Sequence, residues 1–309
     1  MLKPRALKKG DTVGLTALAS PASLDNVEKA VKRLEKFGLN VKVGETCTST
    51  YGYLSGTDEL RSTELNEMFG DPTLTGIVCL RGGYGTPRIL DKIDYSIIAK
   101  NPKVFVGFSD ITGIHGAIQN ATNLVTFHGP MGAMMGGDDY SEYSLSHWGA
   151  MLFGEQGAGP MLNPEGEQMV GRGGGKARGK LCGGNLSLIA DLMGTPYELR
   201  TKGNLLFIEE VGEAPYQIDR MLTQLRLAGK LDDCAGIVLG DFANCESDKK
   251  RDETLSLEEV LRDILPKNKP TIANVRAGHC DPNMILPLYV EYEIDGDAGT
   301  LTLLEKSTE

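Results

Sequence analysis

The residues best suited to chemistry begin with VFVGFSDITG (104–113), where a run apolar but for its glycine stops on Ser109 and Asp110 follows. A serine between a strand and a helix is a common helix cap, because its oxygen accepts a free backbone N–H. The reciprocal capping box is missing, since Thr112 stands where Glu or Gln would reach back. A serine on such a turn also projects from the carboxyl end of a strand, where open α/β sheets bind ligands. The first half of a nucleophile-elbow pattern is present in Gly107-Phe108-Ser109, but Ile111 replaces the second glycine, so the motif is not that of an α/β-hydrolase. Cap and nucleophile both stay open.

A serine nucleophile needs a base, and the base an orienting carboxylate. His279 lies in the polar turn ANVRAGHCDPN after a predicted strand, and His128 in TFHGPMG is a rival. His115 lies further along the helix that Ser109 would start and reads as structural. Glu209 and Glu210 end the apolar run LLFIEE. Neighbours on a strand face opposite ways, so only one of the two can enter a given cleft. Glu213 and Asp219 are further candidates, and a glutamate here could equally cap the next helix or pair with Arg220. The loop RGGYG follows the strand GIVCL, and its glycines let backbone N–H groups approach a developing oxyanion; a plain tight turn is the alternative.

These residues need a frame, and the hydrophobic pattern predicts one. In the first half, apolar strands alternate with helices: Val13–Leu18, a helix over 23–37, LNVKV, a helix over 57–69, GIVCL, a helix opening 86–100, VFVGF, ITGIHGAIQNA and LVTF. Short apolar strands separated by helices imply a parallel sheet covered on both faces. The glycine-rich, polar stretch 154–180 marks a boundary. The expected division is an N-terminal domain over 1–160, a linker over 161–182 carrying one or two short strands, and a C-terminal domain over 183–309. The second domain is read as helix 185–193, LLFIEE, helix 216–228, AGIVLGDF, helix 256–265 and TIANV. A hairpin of LPLYVEYEI and GTLTLLE joined by DGDA closes it.

Composition narrows the function. The net charge of −10 argues against nucleic acid and anionic lipid, which reward clustered Lys and Arg. No apolar run approaches the roughly 20 residues of a membrane span. Val13–Ala19 is short and broken by Gly14 and Thr16, so it reads as a strand rather than a signal peptide, and a cytoplasmic protein is expected. GRGGGKARG fails both phosphate-loop patterns, with Val170 and Ala177 where Gly and Ser/Thr are needed and Lys176 in place of the last Gly of GxGxxG. Six scattered cysteines and four histidines without metal-ligand spacing suggest neither disulfides nor a metal, and no cofactor is expected.

Taken together, LRGGYGTPRILDKID, VGFSDITGIHGAI, TFHGPM, LCGGNLSLIADLMGTPYE, LLFIEEVGEAPYQIDRML and GHCDPNMILPLY resemble the LD-carboxypeptidases, the muramoyltetrapeptide carboxypeptidases of serine peptidase family S66. The likeness spans nearly the whole chain. It implies an N-terminal flavodoxin-like or amidotransferase-like α/β domain, a smaller mixed α/β C-terminal domain, and an active site in the groove between them. It also implies a triad of Ser109, Glu209 and His279, with oxyanion donors at the backbone N–H groups of Asp110 and Gly83. The implied activity is metal-free release of terminal D-alanine from murein tetrapeptides, in the cytoplasm, during cell-wall recycling, by a homodimer. Arg81 is a candidate for the substrate's free carboxylate. Two rivals remain: a microcin C7 self-immunity type of serine hydrolase acting on peptidyl or aminoacyl nucleotides with the same triad, and a non-catalytic two-domain protein that binds a small ligand.

Overall fold

The computed structural model describes residues 1–247 and 253–309. The chain forms two compact units, one of Met1–Gly157, Asp281–Tyr289 and Lys306–Glu309, the other of Ala158–Cys280 and Val290–Glu305.

The first unit is built on strands β1 (Thr12–Thr16), β2 (Asn40–Val43), β3 (Leu74–Cys79), β4 (Val104–Gly107) and β5 (Thr126–His128). These five are parallel, in the order β5-β4-β3-β1-β2. Buried Val13, Leu15, Ile77, Val78, Phe105 and Phe127 fill the space between sheet and helices. The helix Leu24–Lys36 starts where Ser23 accepts the N–H of Asn26, and it buries Val27, Ala30 and Leu34 at helical spacing. Strand order reverses at β1, which lies between β2 and β3. The loops leaving β1 and β3 flank this switch point at the carboxyl ends of the strands, where open α/β sheets bind ligands.

The second unit carries β6 (Gly159–Met161), β7 (Val170–Gly171), β8 (Lys176–Asn185), β9 (Leu205–Val211), β10 (Gly236–Ala243) and β11 (Thr271–Ala273). With β12 (Leu286–Leu288) in the first unit, it is completed by β13 (Glu291–Asp295) and β14 (Thr300–Leu303). Among the described residues its sheet runs β6-β14-β13-β8-β9-β10-β11-β7, with β8 to β11 parallel and the flanking strands antiparallel. An apolar core including Leu206, Ile208, Ile218, Leu222, Leu225, Ile237 and Val260 packs helices onto this mixed sheet.

Two readings of the sequence change. The stretch 161–182, expected to be a linker, holds β7 and most of β8, and β8 joins the antiparallel and parallel halves of the sheet. Glycines there let strands approach, as at Gly179, where a side chain would meet the backbone of Gly203 and Asn204. The expected single strand LPLYVEYEI is two. Leu286–Leu288 pairs antiparallel with β5 in the first sheet, Tyr289 takes a left-handed backbone (φ 69°), and Glu291–Asp295 then pairs with β14 in the hairpin. The carboxyl-terminal domain is thus not one continuous stretch of chain.

One buried cation ties the first unit's loops together. Arg61, fully enclosed on the helix Asp58–Gly70, donates to the carbonyls of Leu18 (2.6 Å) and Gly85 (2.9 Å) and pairs with Asp58. It thereby joins the loop after β1 to the loop after β3. We expect Arg61→Met to cost about 3–5 kcal/mol, because Asp58 and two carbonyls lose a charged donor. Urea unfolding of the two proteins measures the difference.

Candidate functional site

In the first unit, β4 ends at Gly107 and the chain turns through Ser109 into a short 3-10 turn and the helix Thr112–Thr122. Ser109 has φ 63°, a left-handed backbone that a residue with a Cβ adopts only under constraint. The constraint is visible around it. A side chain on Gly107 would stand 2.8 Å from Ile111, so the first glycine of the partial motif makes room for the isoleucine that replaces the second. A side chain on Gly82 would stand 2.8 Å from the Cβ of Ser109, 3.0 Å from its Oγ and 3.5 Å from the N of Asp110. The loop RGGYG thus lies directly against the serine. The cap positions of the 3-10 turn and of the helix fall on Phe108 and Ile111, neither of which gives a side-chain cap bond.

That loop is held from three directions. Ser20, beyond β1, accepts the N–H of Tyr84 (3.2 Å) and donates its own N–H to the carbonyl of Gly82 (3.4 Å). Arg61 holds Gly85, as above. Thr86 forms a two-point clamp with Asp110: its N–H donates to Oδ2 (2.8 Å) and its hydroxyl to the backbone carbonyl (2.5 Å). Asp110 is buried, and burial pushes its carboxyl up to about 6 against the hydrogen bonds from Thr86. Gly83 has φ 123° and faces solvent. Arg81 is exposed, and its guanidinium donates to the carbonyls of Gly82 and Pro21.

The two other histidines of this unit considered as bases are inside the protein. His128 is fully buried on β5 with its ring 5.5 Å from that of Phe108. His115 turns back onto β4, with Nε2 2.8 Å from the carbonyl of Gly107, and burial pulls it down to about 4. A neutral imidazole with its proton on Nε2 fits that contact.

In the second unit, Glu209 and Glu210 do face opposite ways. Glu210 accepts from Asn185 Nδ2 (2.9 Å), the Ser187 N–H (2.8 Å), the Ser187 hydroxyl (2.7 Å) and the Val211 N–H (2.8 Å). It anchors the start of the helix Leu186–Asp191, which Asn185 caps. Glu209 turns to His279, whose Nδ1 lies 2.6 Å from Oε2. The carboxylate is wholly buried and the imidazole keeps 19% of its side-chain surface. Glycines make this pairing fit. A side chain on Gly278 (φ 122°) would meet Oε2 of Glu209 at 2.7 Å, and one on Gly240 would meet the carbonyl of Ala277 at 2.5 Å. The β9–β10 register shifts at that point, and Asp241 donates its N–H to Ala277 (3.0 Å), which holds the loop 277–279 across the strand ends.

Burial is the largest influence on both partners. It raises the Glu209 carboxyl, with the His279 bond opposing it. It works against the His279 imidazolium, but Glu209, Glu210 and Asp241 outweigh it and the imidazole is raised above 6.5. Sequence reading left out Ser20, Thr86, Asn185 and Asp241. Only their places at the carboxyl ends of strands could have marked them. The carboxylate that meets Nδ1 of His279 is that of Glu209, and Asp219 accepts from the Thr223 hydroxyl (3.0 Å). Among the described residues, no group of three His, Cys, Asp or Glu is placed to hold a metal ion. No helix among them is long and apolar enough to cross a membrane.

Two family models match the chain, the LD-carboxypeptidase N-terminal domain over residues 13–129 and the LD-carboxypeptidase C-terminal domain over 178–294. The chain belongs to the LD-carboxypeptidase family. It is 46% identical over 290 residues to a probable murein peptide carboxypeptidase of Bacillus subtilis (strain 168), covering 93% of this chain and 89% of that protein. Its fold is that of the microcin C7 self-immunity protein MccF solved with glutamyl sulfamoyl guanosine (TM-score 0.89, 26% identity, all of both chains). It also matches a muramoyltetrapeptide carboxypeptidase from Oxalobacter formigenes (TM-score 0.82, 27% identity, 96% of this chain and 100% of that one). As a member of the LD-carboxypeptidase family, the protein is an enzyme, a peptidase. Arg81, Gly83, Ser109 and Asp110 fall within the segment matched by the N-terminal model, and Glu209 and His279 within the C-terminal one.

The buried Asp110 gives a test of the clamp. Its carboxyl is raised from 3.8 to about 6, so between those values the folded protein holds a proton that the unfolded chain releases. Stability therefore falls as pH rises through that window. Asp110→Asn keeps an acceptor for Thr86 but carries no charge. Its stability relative to wild type is expected to grow between pH 4 and 6, reach about 2–3 kcal/mol, and then level off. Thermal melts of both proteins at pH 4, 5, 6 and 7.5 check this.

Proposed function

We propose that the protein is a serine LD-carboxypeptidase that releases the terminal D-alanine of murein tetrapeptides, with Ser109 as nucleophile, His279 as general base and Glu209 as its orienting carboxylate. The observation that carries the reading is the 2.6 Å bond between a wholly buried Glu209 and Nδ1 of His279, whose ring keeps some of its surface open. A carboxylate on Nδ1 fixes the tautomer that leaves Nε2 as the proton acceptor, and it stabilises the imidazolium that forms. Two further observations support the reading. Ser109 sits on a constrained turn beside a glycine loop, and the chain is close to a probable murein peptide carboxypeptidase.

In this mechanism the Ser109 hydroxyl gives its proton to Nε2 of His279 as its oxygen attacks the carbonyl of the residue before D-alanine. The oxyanion is received by the N–H groups of Asp110 and Gly83, and His279 returns the proton to the departing amine. Water then repeats the cycle on the acyl-enzyme. Losing one oxyanion donor is worth about 2.7–4 kcal/mol of barrier. Arg81, exposed beside Gly82, is assigned to the substrate's free carboxylate. The reading includes a homodimer acting in the cytoplasm on a small peptide, without metal or cofactor.

Purified enzyme given a murein tetrapeptide is expected to yield tripeptide and free D-alanine by mass spectrometry. Ser109→Ala is expected to lose at least about 10³-fold in kcat. Glu209→Gln should fall far more than Glu210→Gln in kcat measured on well-folded protein. Turnover of an aminoacyl sulfamoyl adenosine in place of the tetrapeptide would replace this reading with the microcin-immunity one, which the likeness to MccF favours. No turnover of either would overturn both.

The pH profile carries its own sign. The base must be neutral, and His279 is raised above 6.5. The acid limb of kcat/KM is therefore expected above pH 6.5. In Glu209→Gln the residual activity should show that limb moved to lower pH, because the carboxylate no longer stabilises the imidazolium. An acid limb unmoved by the substitution would exclude His279 as the base that Glu209 orients.

A further inference from the structure

Beside the nucleophile's loop lies a group of aromatic side chains that the proposed chemistry does not use. Tyr53 and Tyr84 are exposed, at 63% and 48% of their surface, and their rings meet at 5.8 Å and 55°. Single exposed aromatics are common, but two in ring contact form a surface that water does not favour. Neither is on a loose segment. Tyr53 lies at the tip of a tight turn in which Tyr51 and Leu54 exchange backbone hydrogen bonds (2.7 and 3.0 Å) across Gly52 (φ 61°). Leu54 is buried and packs against the α-carbon of Gly85, where no side chain would fit. Tyr84 is anchored by the bond of its N–H to Ser20. Arg88, held by Asp58 at 2.9 Å, lies near both phenols. The two rings are thus set by the same framework that sets the loop on Ser109.

Their distance from the serine suits one part of the substrate. Tyr84 follows Gly82 by two residues, so its α-carbon is within about 7 Å of the backbone that touches Ser109, and a tyrosine side chain extends further. In a murein tetrapeptide three residues separate the scissile bond from the lactoyl end that carries the sugar, about 10 Å when extended. The geometry of the rings also suits a sugar. Two rings at 55° leave no parallel slot for a flat base, whereas a puckered pyranose can lay its C–H face on one ring and take hydrogen bonds from phenol and guanidinium.

We infer that Tyr53 and Tyr84, with Arg88, form a subsite for the N-acetylmuramoyl sugar of the substrate. This rests on the proposed carboxypeptidase reading. The subsite binds sugar-bearing tetrapeptides in preference to sugar-free ones, and it acts in binding rather than in bond cleavage.

Two measurements on the full chain test it and separate its failure from failure of the carboxypeptidase reading. First, kcat/KM is compared for a muramoyl tetrapeptide and the same tetrapeptide without sugar. Wild type is expected to prefer the former roughly three- to ten-fold, through KM. The ratio should fall toward one in Tyr53→Ala and in Tyr84→Ala, and largely return in Tyr53→Phe. Second, saturation-transfer NMR with N-acetylmuramoyl-L-alanyl-D-isoglutamine is expected to show transfer to the sugar protons, lost in Tyr53→Ala. Turnover without sugar preference, or a preference unchanged in both alanine variants, overturns the subsite and leaves the carboxypeptidase reading intact. Tyr53-dependent transfer to the sugar without turnover of either peptide supports the subsite as a sugar site and overturns the carboxypeptidase reading. Tyr53-dependent transfer to the base protons of adenosine monophosphate, with none to the sugar probe, overturns it in favour of a nucleobase.

Discussion

The carboxylate of Glu209 is completely buried, and everything around it follows from that fact. An ionised group out of water is costly unless it is hydrogen-bonded to a partner that can carry charge. His279 is that partner, at 2.6 Å. To bring it there, the loop 277–279 must cross the end of the strands at close range. This explains the glycines at 240 and 278 and the shifted register between β9 and β10. The same fact forces the neighbouring Glu210 to find its own donors, and it takes four, from Asn185, Ser187 and Val211. Two adjacent glutamates are thereby given different work: one organises an imidazole, the other the start of a helix.

The first unit solves a related problem with backbone instead of charge. Ser109 must leave a buried strand and enter a helix in a left-handed conformation. Such a conformation persists only if the surroundings determine it. Ile111 seated on Gly107, Gly82 pressed on the serine, and Thr86 clamped to Asp110 supply that determination. The loop RGGYG is in turn held by Ser20 and by the enclosed Arg61. Rigidity at this place comes from hydrogen bonds converging on one loop at the point where strand order reverses. Open α/β sheets bind ligands at such switch points.

The two units share one design. In each, the residues of interest leave the carboxyl ends of parallel strands: Ser20, Arg81 and Ser109 after β1, β3 and β4, and Asn185, Glu209 and His279 at or after β8, β9 and β11. Parallel strands have both faces covered and can carry chemistry only at their ends. The family membership of the chain fits this arrangement, since both of its matched segments run through these strand ends.

Much of this was legible in the residues. The alternation of apolar runs and helical spacing reports burial, so the parallel sheet and most element positions could be read directly. So could the candidates Ser109, Glu209, Glu210 and His279, because a polar residue ending an apolar strand stands out. Sequence spacing could not say which glutamate meets an imidazole, since strand alternation sets them apart without saying which face is which. It predicts one or two short strands in glycine-rich 161–182 but not that they join the second unit's sheet, because much of their pairing is with strands more than a hundred residues away. Nor could it show that Leu286–Leu288 leaves its hairpin for the first sheet. Arg61, Thr86 and Tyr53 carry no local signal at all. Periodicity records whether a side chain is buried, while the partner it is buried against is fixed only when distant segments pack.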